Sequence, residues 1–116
     1  MIVQSTKSQP VVKVVQNGRV AVLVSPGFGA GWSTWADAEL RERLLFEHNV
    51  VNFLLEDPED RERVLAYMTL TYPDTFTGGL EDLRVEWVPQ GEQFRVHEYD
   101  GAESLVLLSE EQWMVA

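Results

Sequence analysis

Residues 20–35 read Val-Ala-Val-Leu-Val-Ser-Pro-Gly-Phe-Gly-Ala-Gly-Trp-Ser-Thr-Trp, and the fold turns on how this stretch is read. The apolar run 20–24 is a strand with little polar character on either face, which makes it central in a sheet. Behind it, Gly27, Gly29 and Gly31 are interleaved with Phe28, Trp32 and Trp35, and a helical pattern begins near Asp37. Glycine permits φ > 0 and lets a ligand approach backbone N–H groups closely. Successive N–H groups beside a helix N-terminus form an anion site, and aromatic rings offer flat faces to a base. The stretch reads as a pocket for something planar and phosphorylated, or else as a tight strand-to-helix turn whose aromatics are core. It matches neither GxxxxGK(S/T) nor GxGxxG and holds no lysine.

Outward from this stretch, two β-branched runs, 11–15 and 20–24, flank Gln16-Asn17-Gly18-Arg19. Asn-Gly is the preferred centre of a two-residue hairpin turn, so the runs are antiparallel strands. Residues 1–10 are polar and expected to fray. On the other side, a helix is expected from Asp37 to about His48, with Ala36, Leu40 and Leu44 on one face and Ser33 or Thr34 as its cap. Residues 50–55, Val-Val-Asn-Phe-Leu-Leu, read as a short strand or a helical turn, with a short helical continuation preferred. A second helix is expected to start at 57–60, with Asp57 as cap and Pro58 at its first position. Its apolar face is Val64, Leu65, Met68 and Tyr72, and it stops before Pro73.

A loop over 74–79 carries Phe76. Leu83, Val85 and Trp87 then alternate with Arg84 and Glu86, the pattern of a half-buried strand. After a turn at 89–92, Phe94, Val96 and Glu98 face one way and Arg95, His97 and Tyr99 the other. Asp100-Gly101 is a second hairpin signal, 105–108 is the last strand, and 112–116 is an amphipathic tail. The expectation is one α+β domain over 1–116: an N-terminal β-hairpin, two helices, then a three-stranded antiparallel meander.

Composition narrows the function. The chain has 116 residues, 45% hydrophobic, which suits one globular domain. No apolar run approaches the ~18 residues of a membrane span, and 1–9 lack the apolar segment of a secretory signal. With no cysteine and two histidines, neither disulfides nor a convincing metal cluster is expected. The formal net charge of −10 repels DNA and RNA and leaves a small anionic ligand to be served by local donors. No GxSxG, HExxH or Cys/His arrangement is present. Glu98 and Asp100 could form an acid/base pair. Alternatively, Asp100 shapes the hairpin turn, and Glu98 pairs with Arg95 or Arg84.

Residues 22–35 (Val-Leu-Val-Ser-Pro-Gly-Phe-Gly-Ala-Gly-Trp-Ser-Thr-Trp) and 85–104 (Val-Glu-Trp-Val-Pro-Gln-Gly-Glu-Gln-Phe-Arg-Val-His-Glu-Tyr-Asp-Gly-Ala-Glu-Ser) together cover under a third of the chain. On these blocks the sequence resembles small phage-encoded proteins of the first Thoeris anti-defence family, the signal sponges. The resemblance implies a protein that sequesters cyclic ADP-ribose isomers made by bacterial TIR immune enzymes, without cleaving them. Some members of that family also bind cyclic oligonucleotides, and they assemble as dimers or hexamers. It further implies a place in the host bacterial cytoplasm and no cofactor. The family's ligand contacts are not carried over by position; the site residues are chosen on chemistry.

Such a ligand presents adenine, riboses and a pyrophosphate. Adenine is expected to stack on Phe28, Trp32 or Phe76. The pyrophosphate is expected to take N–H groups around Gly27, Gly29 and Gly31, the hydroxyls of Ser33 or Thr34, and the Arg95 guanidinium. No catalytic or metal-ligating residue is assigned. Two other classes stand beside this one: a nucleotide-hydrolysing phage enzyme using Glu98 and Asp100, and an acidic protein–protein inhibitor or small phage structural protein.

Overall fold

The computed structural model describes residues 10–27, 29, 31–75, 78–110 and 116. The expected fraying of the first residues and the amphipathic tail fall almost wholly outside them. The elements are β1 (Val15–Gln16), β2 (Arg19–Val24), α1 (Ala38–Leu45), α2 (His48–Glu56), α3 (Arg61–Thr71), β3 (Arg84–Pro89), β4 (Phe94–Tyr99) and β5 (Ala102–Leu107). The α+β class holds, with a hairpin, then helices, then antiparallel strands.

Both hairpin turns follow from local chemistry. Asn17 and Gly18 have φ of 52° and 75°, and Asp100 and Gly101 have 48° and 85°. Two consecutive positive φ values match the right-handed twist of the flanking strands. The first hairpin is shorter than the run 11–15 implied, since β1 holds only Val15 and Gln16, paired with Val20 and Arg19.

The expected three-stranded meander is corrected by the pairing. β3 lies antiparallel to β2, from Arg19↔Pro89 to Val24↔Arg84. The first sheet is therefore β1-β2-β3, and β4-β5 form a sheet of their own. The reason is the apolar character of β2 on both faces. Ala21 and Leu23 pack with the helices, against Leu40, Leu44, Val50, Val64 and Met68. On the opposite face Val20, Val22, Val24 and Val88 need a second cover. The β4-β5 hairpin supplies it with Phe94, Val96, Leu105 and Leu107. A flat meander would have left that face in water, at about 1.5–3 kcal/mol for each large aliphatic side chain.

The helices differ from expectation in three places. The first helical run breaks at Phe46 and Glu47, where Glu47 turns inward and caps α2 by accepting the Asn49 N–H at 3.1 Å. Residues 50–55 do belong to a helix, α2. Asp57 does not cap α3: it ends α2 in an extended conformation, and Asp60 is the cap, accepting the Arg63 N–H at 3.2 Å. Leu65, assigned to the apolar face of α3, is 46% exposed, while Val64 and Met68 are buried.

Candidate functional site

The glycine-aromatic stretch leaves the C-terminal end of β2 and wraps around one carboxylate. Glu103 on β5 is 2% exposed. Its Oε1 accepts the Ser25 N–H at 3.0 Å. Its Oε2 accepts the Trp32 N–H at 2.9 Å, the Thr34 N–H at 3.0 Å and the Thr34 hydroxyl at 2.6 Å. A buried carboxylate is tolerated only when its lone pairs are filled, and these donors fill them. The stretch is thus an anion-holding frame, and the anion it holds comes from the same chain. Two backbone bonds tie loop and hairpin together beside it: Gly29 N–H to the Asp100 carbonyl at 3.0 Å, and Glu103 N–H to the Ser25 carbonyl at 2.9 Å.

This geometry places each expected site residue. Gly31, Trp32, Ser33 and Thr34 come together at Glu103, with Ser33 buried and Thr34 half-buried. The Trp32 indole is 1% exposed and packs in the core, its Nε1–H donating to the Leu44 carbonyl at 2.9 Å, so it offers no face to a base. Nor do Ser33 and Thr34 cap α1, whose cap is Asp37 without a side-chain bond. Gly27 is half-buried and Gly29 exposed. Phe28 and Phe76 lie outside the described residues. Arg95 is not part of this cluster. It pairs with Val106, three residues along β5 from Glu103 or about 10 Å of strand. It sits on the hairpin face opposite to Glu103.

Arg95 instead lines a cavity of about 490 Å³, with Glu92, Gln93, Phe94, Val106 and Leu108. Within it Glu92 is engaged, its Oε1 accepting the Ser109 N–H at 3.0 Å. Hydrogen bonds from Ser109 hold the Glu92 carboxyl below the ordinary range. Beside the loop, Ser33, Thr34, Arg41, Glu42, Leu45 and Val96 line a smaller recess of about 290 Å³.

The acids considered for catalysis have structural roles. Glu98 Oε1 accepts the Trp35 Nε1–H at 2.6 Å and the Gly101 N–H at 3.2 Å. Asp100 occupies the first left-handed position of the hairpin turn. Arg84 pairs with Glu86 at 2.6 Å rather than with Glu98.

Sequence reasoning missed two buried acids. Alternation along β5 puts Glu103 on the face of Leu105 and Leu107, and an acid at an inward position was the available signal. Glu47 lies between buried Phe46 and the start of α2, and its carboxylate accepts from the hydroxyls of Tyr67, at 2.9 Å, and Tyr72. Burial first, then the Glu47 carboxylate, pushes the Tyr72 hydroxyl well above the ordinary tyrosine range, and Tyr67 is raised too, burial again being the largest cause. Among the described residues there is no cluster of His, Asp or Glu arranged to hold a metal, and no helix is long and apolar enough to cross a membrane. No family model, curated protein or solved structure matches the chain.

Proposed function

We propose that this protein binds and sequesters a cyclic ADP-ribose isomer made by bacterial immune enzymes, and so keeps the signal from its effector. In this reading it acts in the host bacterial cytoplasm as a homo-oligomer, a dimer or hexamer, without cleaving its ligand and without a cofactor. The resemblance over 22–35 and 85–104 motivates the ligand. The observation that carries the reading is the Arg95 cavity. Its volume of about 490 Å³ falls in the ~300–1,000 Å³ range of small-ligand sites, and it combines a guanidinium, an aromatic ring, an amide and apolar walls. The guanidinium suits a pyrophosphate bidentately, and Phe94, Val106 and Leu108 give apolar contact to a base.

The amide frame of the glycine stretch has a different part in this reading. Glu103 fills it, so the frame fixes the hairpin that carries Arg95 instead of touching pyrophosphate. Ser33 and Thr34 line the smaller recess beside Arg41.

The test is calorimetry and thermal melting with cyclic ADP-ribose isomers, followed by denaturing the complex and chromatography of the released ligand. A ligand that binds only the folded state raises the melting temperature, by an amount that grows with its concentration. Tight binding with intact ligand recovered is the expected result. Absence of any shift at saturating ligand removes the sponge reading, and recovery of a linear product makes the protein a hydrolase.

A further inference from the structure

On the other face of the central sheet, the helices cover Ala21 and Leu23 completely but stop short of the start of β2. Register places Gln16 opposite Arg19, Arg19 opposite Pro89 and Ala21 opposite Trp87. Alternation then puts Gln16, Arg19 and Trp87 on the helix side, beside the end of α2, with Arg19 exposed, Trp87 half-buried and Leu55 42% exposed. Gln16, Asn17, Arg19, Leu55 and Trp87 line a recess of about 560 Å³ there.

Arg19 is singular among the described basic residues. Lys13 lies over the Phe46 ring, Arg41 and Arg61 donate to backbone carbonyls, and Arg63 and Arg84 pair with Glu56 and Glu86. Arg43 and Arg95 are also engaged. The Arg19 guanidinium has no hydrogen bond, ion pair or ring contact among the described residues, in a chain with 19 acids against 9 bases. An unpaired guanidinium beside an indole and two side-chain amides is the chemistry that reads a planar ring carrying a phosphate. The guanidinium takes the phosphate in its planar fork, the indole stacks the ring, and amides match the donors and acceptors of a base edge.

We propose that this recess is a second binding site, for a nucleoside monophosphate: base against Trp87, edge read by Gln16 and Asn17, phosphate on Arg19. It is separate from the Arg95 cavity and does not rest on the sponge reading. The test uses the full chain with adenosine monophosphate, adenosine and inorganic phosphate as probes, followed by NMR at the Trp87 indole N–H and the Arg19 side-chain N–H. Saturable shifts of both signals with adenosine monophosphate are expected, with adenosine at least tenfold weaker. Arg19→Ala, at an exposed position, should bring the nucleotide down to the affinity of adenosine. Arg84→Ala, which removes a guanidinium from the far end of β3, should leave it unchanged, and Trp87→Phe should keep part of the binding. Unmoved Trp87 and Arg19 signals, or an Arg19→Ala protein that binds the nucleotide like wild type, would overturn the proposal.

Discussion

The Oε2 of Glu103 accepts the backbone N–H of Trp32 at 2.9 Å, across 71 positions of sequence. That bond joins a loop leaving the central strand to the last strand of the chain, and Ser25 and Thr34 donate to the same carboxylate. The glycine stretch is shaped to surround an acid, and the acid is the anchor of the β4-β5 hairpin.

Replacing that acid should therefore be among the most damaging changes in the protein. Glu103→Ala leaves buried N–H groups of Ser25, Trp32 and Thr34 without their acceptor, each worth about 1–3 kcal/mol when unsatisfied. Because such terms are not additive, a loss on the order of 3–5 kcal/mol is expected. Glu103→Gln keeps one acceptor oxygen and should lose less. Urea denaturation of the three proteins measures this, and a Glu103→Ala midpoint like that of wild type would remove the anchor role.

The glycines of the stretch should separate by mechanism. A Cβ at Gly31 would lie 2.4 Å from Thr34 Oγ1, 2.8 Å from Trp35 Cδ1 and 3.1 Å from Glu103 Oε2. Gly31→Val thus disrupts the grip on Glu103, with an expected cost on the order of 3 kcal/mol or more. A Cβ at Gly29 meets nothing within 4 Å, but φ is +119°. Gly29→Ala should cost only about 1–3 kcal/mol of backbone strain. Equal melting temperatures for Gly31→Val and Gly29→Ala would contradict this ranking.

Alkaline pH should weaken the protein through Tyr72 and Tyr67. Both hydroxyls have pKa values raised in the folded state, by burial and then by their hydrogen-bonding surroundings at Glu47. Above the ordinary tyrosine pKa of about 10 the unfolded chain loses these protons while the folded one keeps them. Their contribution is full below about pH 10 and is lost as pH climbs towards the folded values. The melting temperature should fall as pH rises above about 10, and Tyr72→Phe should flatten that fall. At neutral pH the same variant loses its bond to Glu47, at about 1–3 kcal/mol.

Arg95→Ala tests the ligand cavity without disturbing the fold. The residue is engaged but lies on the exposed face of β4, where a side-chain pair contributes only about 0–1 kcal/mol, so the melting temperature should move little. Loss of a charge-assisted contact to pyrophosphate is worth about 1.5–3 kcal/mol, or roughly ten- to a hundredfold in affinity. Arg95→Lys should recover part, since lysine lacks the planar fork. Calorimetry on the three proteins decides it; unchanged affinity in Arg95→Ala would move the ligand away from this cavity.

What the sequence determined by itself is local. Asn17-Gly18 and Asp100-Gly101 dictate two hairpin turns, because few other dipeptides accept two positive φ values in succession. The all-apolar run 20–24 dictates a strand covered on both faces, and the patterns after Asp37 and after Pro58 dictate two helical runs, while 50–55 fit strand or helix alike. Alternation in 94–99 correctly separated Phe94 and Val96 from Arg95 and His97.

Only the tertiary structure decided what met what. Alternation says which face of a strand is buried but not which strand lies beside it, so β3 joining β2, and β4-β5 folding over as a separate layer, could not be read from 84–107 alone. Asp57 and Asp60 carry the same capping chemistry, and the extended exit of α2 at Asp57 left the N-terminus of α3 to Asp60. The glycine stretch announced a set of convergent N–H donors, and donors of that kind accept a phosphate or a carboxylate alike. Which anion they hold depends on what the folded chain brings within 3 Å, and here it brings Glu103.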